Sequence, residues 1–154
     1  MTRTLRTLAI VTVLAISLSA LLLGADKDKD GPQPYYGTGD SADQQLDALA
    51  QMDSQVPSGK WLVVDHVSMH LTQSITAPGA RCRIFGNGTN GSLISHDLVP
   101  EVVWETATFR RRSASTPLKM YIGPGFVALQ CENLITGFTL RVEGSVSGQL
   151  IPAQ

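Results

Sequence analysis

Trp61-Leu62-Val63-Val64-Asp65-His66-Val67-Ser68-Met69-His70-Leu71-Thr72-Gln73-Ser74-Ile75 carries the pattern that decides the fold. Trp61, Val63, Val67, Met69, Leu71 and Ile75 stand at odd positions, and His66, Ser68, His70, Thr72 and Ser74 at even ones. Side chains along a strand point alternately to its two faces, so a period of two predicts a strand buried on one side. Asp65 and Gln73 interrupt the apolar side, and a break or a bulge is expected there.

Similar segments follow. In residues 81–85, Cys82 and Ile84 share one face while Arg81 and Arg83 take the other. Residues 86–91, Gly-Asn-Gly-Thr-Asn-Gly, read as a turn. One strand holding Trp104 is expected in residues 99–109, and a short one in residues 120–122 before Gly123-Pro124-Gly125. Residues 126–132 put Val127, Leu129 and Cys131 on one face. In residues 138–146, Phe138, Leu140, Val142 and Val146 alternate with polar residues. Six to eight short strands with Gly/Pro turns predict an all-β fold, an antiparallel β-sandwich over residues 56–154.

Residues 1–25 are different. Arg3 and Arg6 precede a nearly unbroken apolar run, and Asp26-Lys27-Asp28-Lys29-Asp30 follows it. A basic start before an apolar core reads as a signal peptide or as an N-terminal membrane anchor helix over residues 7–25. Either reading places the remainder outside the cytoplasm, periplasmic, secreted or held at the inner membrane. Residues 26–55, with Gly31-Pro32-Gln33-Pro34 and Gly37-Thr38-Gly39, read as a flexible linker. One short helix, capped by Asp40 or Ser41 and presenting Leu46, Leu49 and Met52, is the only structure expected in it. A chain beginning at Gln55 is therefore expected to keep its stability.

The 154 residues carry a net charge of −1, which gives no field to attract nucleic acid. Charged residues make up only 16% of the chain, low for a globular protein and compatible with a surface that packs against partners. The two cysteines, Cys82 and Cys131, are expected to form a disulfide in an oxidising compartment. Both fall on inward faces of well-separated strands, so a bridge across the core between two sheets is the expected geometry.

Val56-Pro57-Ser58-Gly59-Lys60-Trp61-Leu62-Val63-Val64-Asp65-His66-Val67-Ser68 resembles the opening of a group of exported bacterial proteins with no assigned activity. The resemblance continues at residues 117–125, Pro-Leu-Lys-Met-Tyr-Ile-Gly-Pro-Gly, and at residues 145–150, Ser-Val-Ser-Gly-Gln-Leu. It implies a jelly-roll-like sandwich. It transfers no catalytic or binding residue, and the cysteine pair lies outside the shared pattern.

The search for chemistry yields little. His66 and His70 share a strand face but lie about 13 Å apart at the α-carbons, too far to chelate one metal alone. Gly144-Ser145-Val146-Ser147-Gly148 has valine where a hydrolase elbow needs its serine. No catalytic residue, metal ligand or cofactor is assigned. Asn87-Gly88-Thr89 and Asn90-Gly91-Ser92 match the glycosylation pattern and read as tight polar turns. Arg110, Arg111 and Arg112 form the only basic cluster, expected in a loop after a strand, and are the candidate binding residues for an anionic group. The expected function is a non-catalytic exported module that binds a protein partner or a cell-envelope component. A carbohydrate-binding domain is the alternative, built on Tyr35, Tyr36, Trp61, Trp104, Phe109 or Tyr121; a small secreted hydrolase ranks below it. A sandwich with one apolar edge would favour the first reading, a row of exposed aromatics the second, and converging His, Asp and Ser the third.

Overall fold

The computed structural model describes residues 31–44 and 46–154. The expected export segment, residues 1–25, lies outside them. Pro32–Gln154 forms a compact unit. Among the described residues nine strands build it: β1 (Gln33–Asp40), β2 (Asp47–Gln51), β3 (Lys60–Ser74), β4 (Ala80–Asn87), β5 (Leu93–Leu98), β6 (Glu101–Glu105), β7 (Phe109–Ile122), β8 (Val127–Asn133) and β9 (Leu140–Pro152).

They form two antiparallel sheets, ordered β1-β9-β3-β7-β6 and β2-β8-β4-β5. The pairing is nested: β1 with β9, β2 with β8, β3 with β7 and β4 with β5. The chain is thus wound like one long hairpin whose tip is β4–β5, with β6 added at an edge. This is an antiparallel β-sandwich, as the periodicity predicted, with a jelly-roll-like winding.

The alternation accounts for the core. Met69, Leu71, Ile84, Leu129, Leu140, Val142 and Val146 are fully buried between the sheets. The interruption at Asp65 is a register shift of β3 between Val64 and His66 against both neighbours. It exchanges the faces. Leu62 and Val64 point inward, while Trp61 and Val63, expected inside, lie on the outer side and are only half-buried. Beside the bulge, Gly148 pairs with Val64, and a Cβ there would collide with the Val63 carbonyl. Gln73 causes no break. It points inward, fully buried, with no hydrogen-bond partner for its amide among the described residues. Such an orphan costs about 1–3 kcal/mol.

Three further expectations are corrected. Residues 26–55 are not all linker. β1 and β2 lie within them, and β2 occupies part of the segment expected to be helical. Ala48, Ala50 and Met52 enter the core at a period of two, not on one side of a helix. The sandwich therefore begins near residue 32, not at 56. The region expected to hold one strand over residues 99–109 divides into β6 and the start of β7, and residues 120–122 are the end of that 14-residue strand. The Cys82–Cys131 disulfide is present. It joins residues directly opposite each other on the adjacent strands β4 and β8, so it lies within one sheet and does not link two. Separation in sequence gave no sign of this, because β4 and β8 become neighbours only through the nested winding.

Tyr35 fastens β1 to the loop after β2. Its hydroxyl donates to the Ser54 carbonyl at 2.6 Å, and the residue is 5% exposed. Burial, with the nearby Asp53 carboxylate adding to it, pushes its pKa up to about 12. A raised phenol pKa means that folding favours the neutral form. The stabilisation is complete below the unfolded value near 10 and is lost as pH climbs through 12. Alkaline unfolding of the wild type should therefore steepen between pH 10 and 12, by at most about 3 kcal/mol. Tyr35→Phe should lose that component while costing about 1 kcal/mol at neutral pH through the missing hydrogen bond. Denaturant midpoints across the pH series measure both, and identical alkaline slopes would disprove the assignment.

Candidate functional site

The outer face of the five-stranded sheet is polar because alternation places every second residue of four long strands there. The strand register turns those residues into rungs. Thr38, Ser145, Ser68 and Ser115 line up across β1, β9, β3 and β7. Asp40, Glu143, His70 and Ser113 form the next rung on one side. Arg141, Thr72, Arg111 and Trp104 follow across β9, β3, β7 and β6.

Ion pairs join the charged rungs. Arg111 pairs with Glu143. Arg141 pairs with Asp40, its Nε donating at 3.0 Å. That hydrogen bond holds the Asp40 carboxyl below its ordinary range and raises Arg141. Between the pairs lies a cavity of about 320 Å3, lined by Asp43, Thr72, Phe109, Arg111, Thr139, Arg141 and Glu143. A broader hollow of about 620 Å3 lies alongside it over Thr38, Asp40, Asp53, Ser68, His70 and Glu143.

Arg110, Arg111 and Arg112 lie in β7 and not in a loop. Alternation divides them. Arg111 joins the outer face, whereas Arg110 and Arg112 point to the inner side of the sheet edge. Arg110 is paired with Glu105 of β6. Arg112 has its Nε enclosed without a hydrogen-bond partner among the described residues. The triplet is therefore not one basic patch; only Arg111 reaches the outer cavity.

His66 Nε2 lies 3.0 Å from Ser115 Oγ. Among the described residues no carboxylate hydrogen-bonds to His66, so the orienting third member of a hydrolytic triad is missing there. No group of three or more His, Cys, Asp or Glu side chains among the described residues is arranged to hold a metal.

Among the described residues β6 is an edge strand of the larger sheet. All five of its residues are exposed, with Val102, Val103 and Trp104 at 45%, 59% and 57%. The register slips against β7 between Val102 and Trp104, leaving Val103 as the extra residue. Val99, two residues before the strand, is also exposed, at 83%. Of the six aromatics on which the carbohydrate reading rests, Tyr36, Trp104, Phe109 and Tyr121 are exposed, Trp61 is half-buried and Tyr35 is buried. The sequence reading missed the β6 edge. Its signal was present in Val102-Val103-Trp104, three consecutive large apolar residues with no alternation and a glutamate at each end.

No protein-family model matches the chain, and no curated protein matches it. Solved structures of the Gt and Gx strains of infectious bursal disease virus are each 13% identical to it, at TM-scores of 0.29. The matches cover 80% of this chain and 41% and 42% of theirs, so the chain spans about two fifths of those proteins. A likeness at that score carries no argument about this molecule.

Proposed function

We propose that this is an extracytoplasmic, non-catalytic sandwich module that docks a protein partner along the β6 edge. One observation carries the reading: Val99, Val102, Val103 and Trp104 are all exposed on or beside a strand that is an edge of its sheet among the described residues. Edge strands are ordinarily blunted by charge, bulges and short length. β6 has all three devices, yet keeps its large apolar side chains in water. The need to block edge-to-edge aggregation explains Glu101, Glu105 and the bulge; it does not explain the valines and the tryptophan. Exposed apolar clusters rimmed by charge mark interaction surfaces, and tryptophan is enriched among their anchors. The apolar run after Arg3 and Arg6 and the disulfide support the extracytoplasmic placement.

The test begins with a photocrosslinking side chain at Val103 in intact cells, followed by purification of the captured protein and titration against the full chain. Trp104→Ala should weaken that binding by about 2 kcal/mol, roughly thirtyfold, without moving the melting temperature. Equal binding of the variant and the wild type would overturn the reading.

A further inference from the structure

We propose that the cavity between β3, β7 and β9 binds a neutral hexose unit, independently of the β6 edge. The argument begins with charge. Arg111 and Arg141 meet Asp43 and Glu143 in the cavity lining, and Asp40, which lines the neighbouring hollow, pairs with Arg141, so the two guanidinium groups are matched by carboxylates. An anion would gain from the arginines and lose to the carboxylates. A cation finds Glu143 and Asp40 already engaged by arginine, which leaves it Asp43 alone. A neutral polyol escapes both penalties, since each hydroxyl both donates and accepts. Carboxylate oxygens with unused lone pairs can accept from sugar hydroxyls, and guanidinium N–H groups not used in the ion pairs can donate to them. Thr72 and Thr139 add hydroxyls of their own at the rim.

The second component is apolar. Phe109, at the start of β7, lines the cavity and is 45% exposed. A pyranose ring has C–H faces and a hydroxylated edge. It can lay a face on the phenyl ring while its edge reaches the ion pairs. Trp104 stands beside Arg111 in register on the same sheet face, so a second aromatic ring lies one strand further along. A cavity of about 320 Å3 is at the small end for ligand sites and suits one ring better than a long chain.

The polar groups are also held in place before any ligand arrives. Arg141 is fixed by Asp40 from β1, and Arg111 by Glu143 from β9. Side chains already tied down lose less freedom on binding. The hydroxyl rung of Thr38, Ser145, Ser68 and Ser115 lies on the same face, beyond the Asp40–Glu143–His70 rung. Further units of an oligosaccharide have polar surface to follow in that direction.

The experiment is a titration of the full chain, in a detergent without a sugar headgroup, with glucose, N-acetylglucosamine, maltohexaose, cellohexaose and chitohexaose. Inorganic phosphate and heparin serve as anionic probes. Saturable binding of at least one neutral saccharide, with no binding of the anions, is the expected result. Phe109→Ala should weaken it about tenfold with an unchanged melting temperature, because the ring is at the surface. Thr72→Val and Arg111→Gln should weaken it as well. Trp104→Ala should reduce affinity for a hexasaccharide more than for a monosaccharide. Binding of phosphate or heparin alone would overturn the neutral-ligand assignment. Failure to bind any of the five sugars, or binding that Phe109→Ala leaves intact, would overturn the site. Neither outcome affects the β6 reading, which Trp104→Ala tests against its own protein ligand.

Discussion

A chain beginning at Gln55 should show no cooperative thermal transition, whereas one beginning at Asp26 should melt as a single unit. The shorter chain lacks β1 and β2, one edge strand from each sheet. With them go Tyr35, Ala48, Ala50 and Met52, all at most 5% exposed. Burial of the two large side chains alone stabilises by about 1.5–3 kcal/mol each. The loss does not stop there. β9 pairs with β1 along eight residues, and β8 pairs with β2 along five. Removing both partners leaves β8 and β9 with open edges in a molecule whose whole stability is of the order of 5–15 kcal/mol. The Arg141–Asp40 pair and the hydrogen bonds from Thr38 to Asp53 disappear as well. Far-UV circular dichroism through a melt, with light scattering for aggregation, distinguishes the outcomes. A melting temperature within a few degrees of the longer chain would show that the first two strands are dispensable ornaments.

This reverses the expectation drawn from the sequence, and the reason is physical. β1 reads Gln-Pro-Tyr-Tyr-Gly-Thr-Gly-Asp, with two glycines and a proline in eight residues. Those residues disfavour strands in general, but here they have specific uses. A Cβ on Gly39 would press against the Gln51 carbonyl and the tip of Met52. Pro34 lies on an edge strand, where a missing N–H is tolerated. β2 is five residues long and buries only two alanines, so no large apolar side chain marked its alternation. The long strands were legible because their inward positions hold Val, Leu, Met and Ile. The bulge at Asp65 was legible as an interruption, but its consequence was not. One extra residue exchanges the faces, and Trp61 and Val63 left the core for it. The arginine triplet failed for a related reason. Three adjacent charges suggested a loop, yet β7 accommodates them because edge pairing with Glu105 and outer-face pairing with Glu143 neutralise two of the three. The outer cavity was not legible at all, since its residues come from β3, β7, β9 and the segment before β2, joined only by register.

Loss of the disulfide should be the costliest change that leaves the fold intact. Cys131→Ala is expected to lower stability by 2–5 kcal/mol, with a fall of about 10 °C or more in melting temperature. Cys82 and Cys131 are 49 positions apart, and in the chain-entropy model a loop of that length is worth about 4 kcal/mol. Both residues are wholly buried, and Cys131 Sγ packs 3.7 Å from Met69 Sδ of the opposite sheet. Each alanine therefore also leaves a small void in the core. The position within one sheet determines what should survive. β4 and β8 pair over seven residues from Ala80 to Gly86, and the bridge only reinforces a register those hydrogen bonds already define. The variant should keep a strand-rich spectrum and a single cooperative transition at a lower denaturant midpoint. A bridge spanning the core would have held two sheets together, and its loss would have loosened their packing throughout. The double variant Cys82→Ala/Cys131→Ala separates the bridge from the effect of a lone buried thiol, and should lie within about 1 kcal/mol of the single one. Reduction of the wild type offers a second measurement. Because both sulfurs are enclosed, a thiol reagent can reach them only when β4 and β8 open, so the reduction rate should rise steeply with denaturant well below the unfolding midpoint. Rapid reduction of the native protein, or equal midpoints for the reduced and oxidised forms, would refute the claim that this bridge is an enclosed and stabilising one.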